Sequence, residues 1–226
     1  MKKIGVLSLS NNGTYIGEHP DFGSSVADSG RYGAATICKG VRGAWAHNVV
    51  PGDPTCEAGY VQAAQDLVQD GVDCIISDCG FSVRYQQAIA AAVSVPVSTS
   101  SLLLLPALLR NIPENQSIGV ITADSRHLDN EIIENLGVTN PSRLVIEGLE
   151  GTETYDYMWA EDGRIHVDKV ISDIDDIVSR FSTKHIGAIL CECTILVRVS
   201  PRIRRLTRLP VFDAAMNAAL LVAAVG

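Results

Sequence analysis

The chain opens on a short apolar run at residues 4–9 that gives way to the polar stretch Asn11-Asn12-Gly13. Such a run, bounded by turn residues, predicts a β-strand. The same pattern predicts strands at 72–77, 95–98, 117–122, 144–147 and 186–190. Between them the apolar residues change to helical spacing. Tyr60, Ala64, Leu67 and Val68 share one face of a predicted helix over 57–69, which Gly71 ends. Further helices are predicted over 82–92, over 126–136 with Gly137 as its stop, and over 167–181, where Val170, Ile171, Ile174, Ile177, Val178 and Phe181 lie on one side. Pro106 and Pro201 interrupt helical patterns at 101–110 and 194–206, so those helices should kink or start late. The last segment, 214–225, is apolar on most sides and must pack against a core of the first half or against a partner chain. Residues 11–50 and 148–164 are rich in Gly, Asp, Tyr and Trp without clean periodicity; long connections of this kind cover active sites or simply elaborate a surface.

One offset recurs along the chain. Ile4-Gly5-Val6 returns 114 residues later as Ile118-Gly119-Val120. Cys79 and Cys193 stand the same distance apart, as do Val83-Arg84 and Val197-Arg198, Ile89 and Ile203, and Pro96-Val97 and Pro210-Val211. In both copies an acid and then a cysteine, Asp78-Cys79 and Glu192-Cys193, follow directly on an apolar strand-like run. A gap-free internal repeat of alternating strands and helices predicts an α/β fold of two pseudo-symmetric parallel-sheet halves, Rossmann-like or flavodoxin-like, with the active site in the cleft between them. The expected division is 1–98 plus 213–226 for one half and 99–212 for the other.

Composition narrows the function classes. A net charge of −8 and a pI near 5.0 disfavour nucleic-acid binding, which needs a dense Lys/Arg surface. The basic group Arg198, Arg202, Arg204, Arg205 and Arg208 is short and reads as a solvated helix face. Met1-Lys2-Lys3 is not followed by a signal-peptide core or a small-residue cleavage pattern, and the apolar stretch 102–109 is shorter than a membrane span. The expectation is a cytoplasmic chain with no membrane role and with its six cysteines reduced. No Gly-rich phosphate motif occurs, so no nucleotide, pyridoxal phosphate, metal or other cofactor is expected.

In an open parallel sheet ligands bind beyond the carboxyl ends of the strands, which is where Cys79 and Cys193 are predicted to lie. Each also precedes a predicted helix, whose positive end would lower a thiol pKa, unless the carboxylates of Asp78 and Glu192 oppose it. Two such thiols facing one carbon could remove a proton with one sulfur and return a proton with the other. Zinc spacing is a poor match for Cys74, Cys79, Cys191 and Cys193, and there is no C-x-x-C redox motif. Cys38, Cys56, Cys74 and Cys191 read as inert small apolar residues. A substrate carboxylate needs hydrogen-bond donors at the same strand ends. The candidates are Ser8 and its repeat counterpart Thr122, with Ser10, Asn11, Gly80, Thr99, Ser100, Ser101 and Thr194; Ser and Thr at such positions also serve as helix caps. None of the five histidines has metal-binding spacing, although His19 and His47 fall in the covering segments.

These residues resemble the aspartate/glutamate/hydantoin racemase superfamily over nearly the whole chain. Glu192-Cys193-Thr194 is similar to that family's second Cys-Thr motif, whereas Asp78-Cys79-Gly80-Phe81 departs from the Cys-Asn-Thr of amino-acid racemases. The first motif, with Val95-Pro96-Val97, Ser100-Ser101, Gly148-Leu149-Glu150-Gly151 and Pro210-Val211-Phe212-Asp213, resembles a branch that includes the algal dimethylsulfoniopropionate lyases. The resemblance implies cofactor-independent removal of the proton next to the carboxylate of a small substrate. It is followed either by reprotonation, which is racemisation, or by expulsion of a β-leaving group, which is lyase chemistry. An assembly of identical copies is compatible with the same resemblance. A non-catalytic small-molecule binder on the same frame, with the cysteines as packing residues, is the remaining reading.

Overall fold

The computed structural model describes residues 1–9, 14–160 and 163–225. Its first sheet is built on strand β1 (Lys3–Ser8), whose side chains beyond Lys3 are all buried, as a strand covered on both faces requires. A short strand β2 (Thr14–Ile16) lies outside that sheet. Strand β3 (Ala35–Gly40) pairs with one side of β1, strand β4 (Cys74–Ser77) with the other, and β5 (Val97–Ser98) follows β4, all in parallel. The second sheet repeats this plan. Strand β6 (Ser117–Thr122) lies between β7 (Leu144–Gly148) and β9 (Ile186–Cys191), and β10 (Val211–Phe212) follows β9. Strand β8 (Arg164–His166) pairs with β2, joining the two covering segments of the chain.

The repeat seen in the sequence is also a repeat of register. Ile4 pairs with Cys74, and Ile118 pairs with Ala188. Ile75 pairs with Val97, and Ile189 pairs with Val211. Every one of these partners obeys the 114-residue shift, so the two halves superpose in hydrogen-bond pairing as well as in strand order.

Helices cover the sheets: α1 (Ala46–Val49), α2 (Glu57–Gln69), α3 (Gln86–Ala92), α4 (Leu105–Asn111), α5 (Asn130–Asn135), α6 (Glu153–Trp159), α7 (Val167–Ser179), α8 (Ser200–Thr207) and α9 (Ala214–Ala224). Gly71 and Gly137 take φ of +75° and +79°, the left-handed conformation that lets the chain turn away after α2 and α5. The closing helices cross over. Helix α4, which follows β5, packs on β6; helix α9, which follows β10, packs on β4 and β5. Asn217 of α9 ties this crossing, donating to Ser98 Oγ at 2.7 Å and to the Ser100 carbonyl at 3.2 Å.

Several local expectations shift. The helix predicted at 82–92 begins as a 3-10 turn, Gly80–Tyr85, and becomes α-helical only at Gln86. The one predicted at 126–136 splits at Asp129, whose carboxylate accepts the Ile132 N–H at 2.9 Å and starts α5. Pro106 and Pro201 stand in the first turn of α4 and α8, each after a 3-10 turn, which is the late start their missing N–H predicts. Strand β3 lies inside the 11–50 segment read as a connection. It is an edge strand with no fully buried residue, so it carries no apolar run for the pattern to detect.

Candidate active site

The loops that follow strands β4 and β9, one from each sheet, line the same cavity, and the same local structure follows each strand. Asp78 N–H donates to the Leu7 carbonyl at 3.0 Å, and Glu192 N–H donates to the Ile121 carbonyl at 2.8 Å. Leu9 N–H donates to the Asp78 carboxylate at 3.0 Å, and Ala123 N–H donates to the Glu192 carboxylate at 3.1 Å. The Ser8 hydroxyl bonds to the Asp78 carboxylate, as Thr122 does to Glu192 at 2.9 Å. Cys79 and Cys193 come next in extended backbone, and each opens a 3-10 turn. Each sulfur accepts the N–H two residues on, from Phe81 and Ile195 respectively. All of these pairs are related by the shift of 114.

The two loops interlock across the cleft. Thr194 Oγ1 donates to the Asp78 carbonyl, and Ser101 Oγ donates to the Cys191 carbonyl at 2.7 Å. Glu192 lies against Gly80 so closely that a Cβ there would overlap its Oε1 and its backbone oxygen. Both thiols, with Asp78, Gly80, Glu192 and Thr194, line one cavity of about 310 Å³, near the lower bound of ordinary small-molecule sites. The segments without clean periodicity form its cover: Tyr15, Val26 and Ala27 from one, Tyr157 and Met158 from the other. All six cysteines are free.

Burial controls the electrostatics. It lifts the Cys79 thiol well above the ordinary range, and the neighbouring charges of Glu192, Asp78 and Cys193 lift it further against the Phe81 N–H. Cys193 is raised in the same way, by burial and then by Glu192. The helix-end lowering expected from the sequence is therefore reversed. The elements after the cysteines are 3-10 turns of six and five residues, and desolvation outweighs them. The carboxyls are raised as well: burial takes Glu192 up to about 7 against the Ala123 N–H and the Thr122 hydroxyl, and Asp78 up to about 6 against the Leu9 N–H and Ser8.

No protein-family model matches the chain. Among curated proteins, dimethylsulfoniopropionate lyase 3 of Emiliania huxleyi (strain CCMP1516) is 33% identical over 188 residues, which cover 74% of this chain and 49% of that protein. Dimethylsulfoniopropionate lyase of Durusdinium sp. clade D is 31% identical over 172 residues, 73% of this chain and 57% of that one. The chain spans about half the length of the curated relatives it matches. Among solved structures, allantoin racemase from Klebsiella pneumoniae superposes with a TM-score of 0.68 at 14% identity, over 99% of this chain and 87% of that one. Glutamate racemase from Francisella tularensis gives 0.63 at 16% identity, over 99% and 80%. Unliganded arylmalonate decarboxylase gives 0.56 at 16%, over 98% and 93%. The chain has the Asp/Glu/hydantoin racemase fold, and its curated relatives are dimethylsulfoniopropionate lyases.

On this racemase fold, the residues singled out in the sequence fall into three groups. Cys79, Cys193, Ser8, Gly80 and Thr194 line the cavity. Thr122 stands behind it, fully buried, with its hydroxyl engaged by Glu192. Thr99 and Ser100 are buried away from the lining: Thr99 donates to Gln86 Oε1 through its N–H and its hydroxyl, and Ser100 caps the 3-10 turn before α4. Asn11 and Ser10 lie outside the described residues. Neither His19 nor His47 lines the cavity; His19 Nδ1 accepts the Asp21 N–H at 3.0 Å, and His47 stacks beside Trp45. Cys38, read from the sequence as inert, is exposed and lines the cavity near Ser8 and Asp78.

Arg198 departs from its sequence expectation. Its neighbours in the sequence predict a solvated basic face, yet it lines the cavity as the one Lys, Arg or His among the described lining residues. Its guanidinium lies 4.1 Å from the Tyr15 ring centre and 5.3 Å from that of Phe22, and it donates to the Gly23 carbonyl at 2.9 Å. The other arginines of the cluster differ: Arg202 bonds Asp175 and Asp21, Arg205 bonds Asp21, and Arg204 bonds the Val211 carbonyl. The available signal was position, because Arg198 follows Cys193 by the same five residues that separate Arg84 from Cys79.

Proposed function

We propose that this chain is a cofactor-independent enzyme that removes the proton α to the carboxylate of a small substrate, with Cys79 and Cys193 as its acid/base pair. The observation that carries the reading is the placement of two free thiols, equivalent in the repeat, on one cavity. Arg198 supplies the charge that binds the carboxylate. The surface of Phe81, Tyr157 and Met158 suits an apolar or soft cationic end of the substrate.

The names of the curated relatives favour elimination. In that reading a sulfur takes the Cα proton, the C–H electron pair becomes the Cα–Cβ double bond, and the Cβ–S bond breaks with its electrons on sulfur. Dimethylsulfoniopropionate then gives dimethyl sulfide, acrylate and one proton. The pseudo-twofold arrangement of the thiols favours a second reading, racemisation, in which the other cysteine returns a proton to the opposite face of the same carbon.

Incubation of the purified chain in D₂O with dimethylsulfoniopropionate, amino acids and hydantoins, followed by proton NMR, separates these readings. Acrylate with dimethyl sulfide is the expected result. Deuterium at Cα with a growing enantiomer would establish the racemase instead. No turnover, with Cys79 and Cys193 inert to alkylation, would replace both with a non-catalytic binder.

A further inference from the structure

Glu192 is 1% exposed and lines the cavity between the two cysteine loops. One of its oxygens, Oε2, accepts from the Thr122 hydroxyl and the Ala123 N–H. The other, Oε1, is buried with no hydrogen-bond partner. A buried carboxylate oxygen left unpaired costs free energy, so it persists where a proton comes and goes. Oε1 is held at Gly80, the residue after Cys79, while Glu192 itself directly precedes Cys193. The contact needs glycine at position 80, because any side chain there would displace the carboxyl.

Proton abstraction needs a thiolate, and the resting thiols are protonated, since burial holds both far above neutrality. A second acceptor must therefore take the S–H proton before a sulfur can take the Cα proton. We infer that Glu192 is that acceptor, acting through the cysteines as the shared proton store of the pair; the inference rests on the two-thiol reading above. Neither sulfur hydrogen-bonds to Oε1 at rest, so the proton crosses by one bridging water: the S–H bond breaks, an O–H bond forms on Oε1, and a thiolate is left beside a neutral carboxyl. The thiolate then takes the Cα proton, and Glu192 afterwards releases its own proton to solvent, which restores the resting state and accounts for the proton that elimination produces. The titratable groups around Glu192 are Cys193 on its own loop, and Cys79 with Asp78 on the facing one; β6 presents only the uncharged Thr122 hydroxyl and Ala123 N–H.

The test is the pH profile of Glu192→Gln, read both as turnover of dimethylsulfoniopropionate and as substrate-free alkylation of Cys79 and Cys193 by iodoacetamide, resolved by peptide. In the unaltered chain both rates should rise with pH and flatten above about 7, where Glu192 is ionised. In Glu192→Gln turnover at pH 7 should fall on the order of 10²-fold. The bend should vanish from both profiles, leaving rates that climb about tenfold per pH unit as hydroxide replaces the carboxylate. A merely structural role would scale the rates and leave the bend in place, and that result overturns the inference. If Glu192→Gln does not fold, Glu192→Asp carries the test: its bend should move to lower pH, and an unmoved bend is contradictory. The alkylation profile needs no substrate, so it separates this inference from the two-thiol reading, which fails instead if Cys79→Ser and Cys193→Ser remain active.

Discussion

At the scale of single residues, the acid before each cysteine organises the site. Ser8 and Thr122 were expected to meet a substrate carboxylate; in the structure they meet the protein's own, on Asp78 and Glu192. That leaves Arg198 as the group suited to an incoming carboxylate. Arginine on an aromatic face is preorganised, and lysine does not reproduce its planar fork. Arg198→Lys should therefore raise KM for dimethylsulfoniopropionate about tenfold, a loss of about 1.4 kcal/mol, with kcat within about threefold and the melting temperature unchanged. An unchanged KM in steady-state kinetics would remove Arg198 from substrate binding. The cysteines and the acids were legible because a rare residue recurred at a fixed offset. Arg198 was not, since charge along a sequence does not say whether an arginine faces solvent, an aspartate or a cavity.

At the scale of elements, the recurring Ile-Gly-Val opens the central strand of each sheet for a steric reason. A Cβ on Gly5 would sit 2.9 Å from Leu67 Cδ1 of α2, and one on Gly119 would sit 3.2 Å from the Phe181 ring just after α7. The glycines let a large apolar side chain lie directly on the strand. Gly5→Val and Gly119→Val should each cost about 1–3 kcal/mol through overpacking, measured by urea unfolding; no loss of stability would show that the helices yield freely. Elements with strong periods, such as α2, β6 and α7, were legible to within a residue or two because burial on a fixed face dictates their composition. Edge strand β3 and helix α6 were not. They are held by pairing and by caps, such as Thr152 accepting from Tyr155 N–H at the start of α6, rather than by an apolar stripe.

At the scale of the whole molecule, the doubling of the chain places two equivalent strand ends in one cleft, and the crossing of α4 and α9 holds the halves together through both sheets. No helix among the described residues is long and apolar enough to cross a membrane. The arrangement of two halves about a cleft was readable from the 114-residue offset, because a repeat constrains topology more tightly than any single pattern. The cover was not: segments 11–50 and 148–164 come together through the β2–β8 pair and the packing of α1 on α6, which are long-range and leave no local signature. The resulting asymmetry distinguishes the halves, with Arg198 on the cavity and its counterpart Arg84 drawn aside to the His127 carbonyl and Asp129. The central claim is that the two thiols of this cleft move the substrate proton. Its most direct test is turnover of dimethylsulfoniopropionate in D₂O by Cys79→Ser and Cys193→Ser, each checked for an unaltered melting transition. The account predicts that at least one variant loses acrylate formation by about 10³-fold or more while staying folded; full activity in both would contradict it.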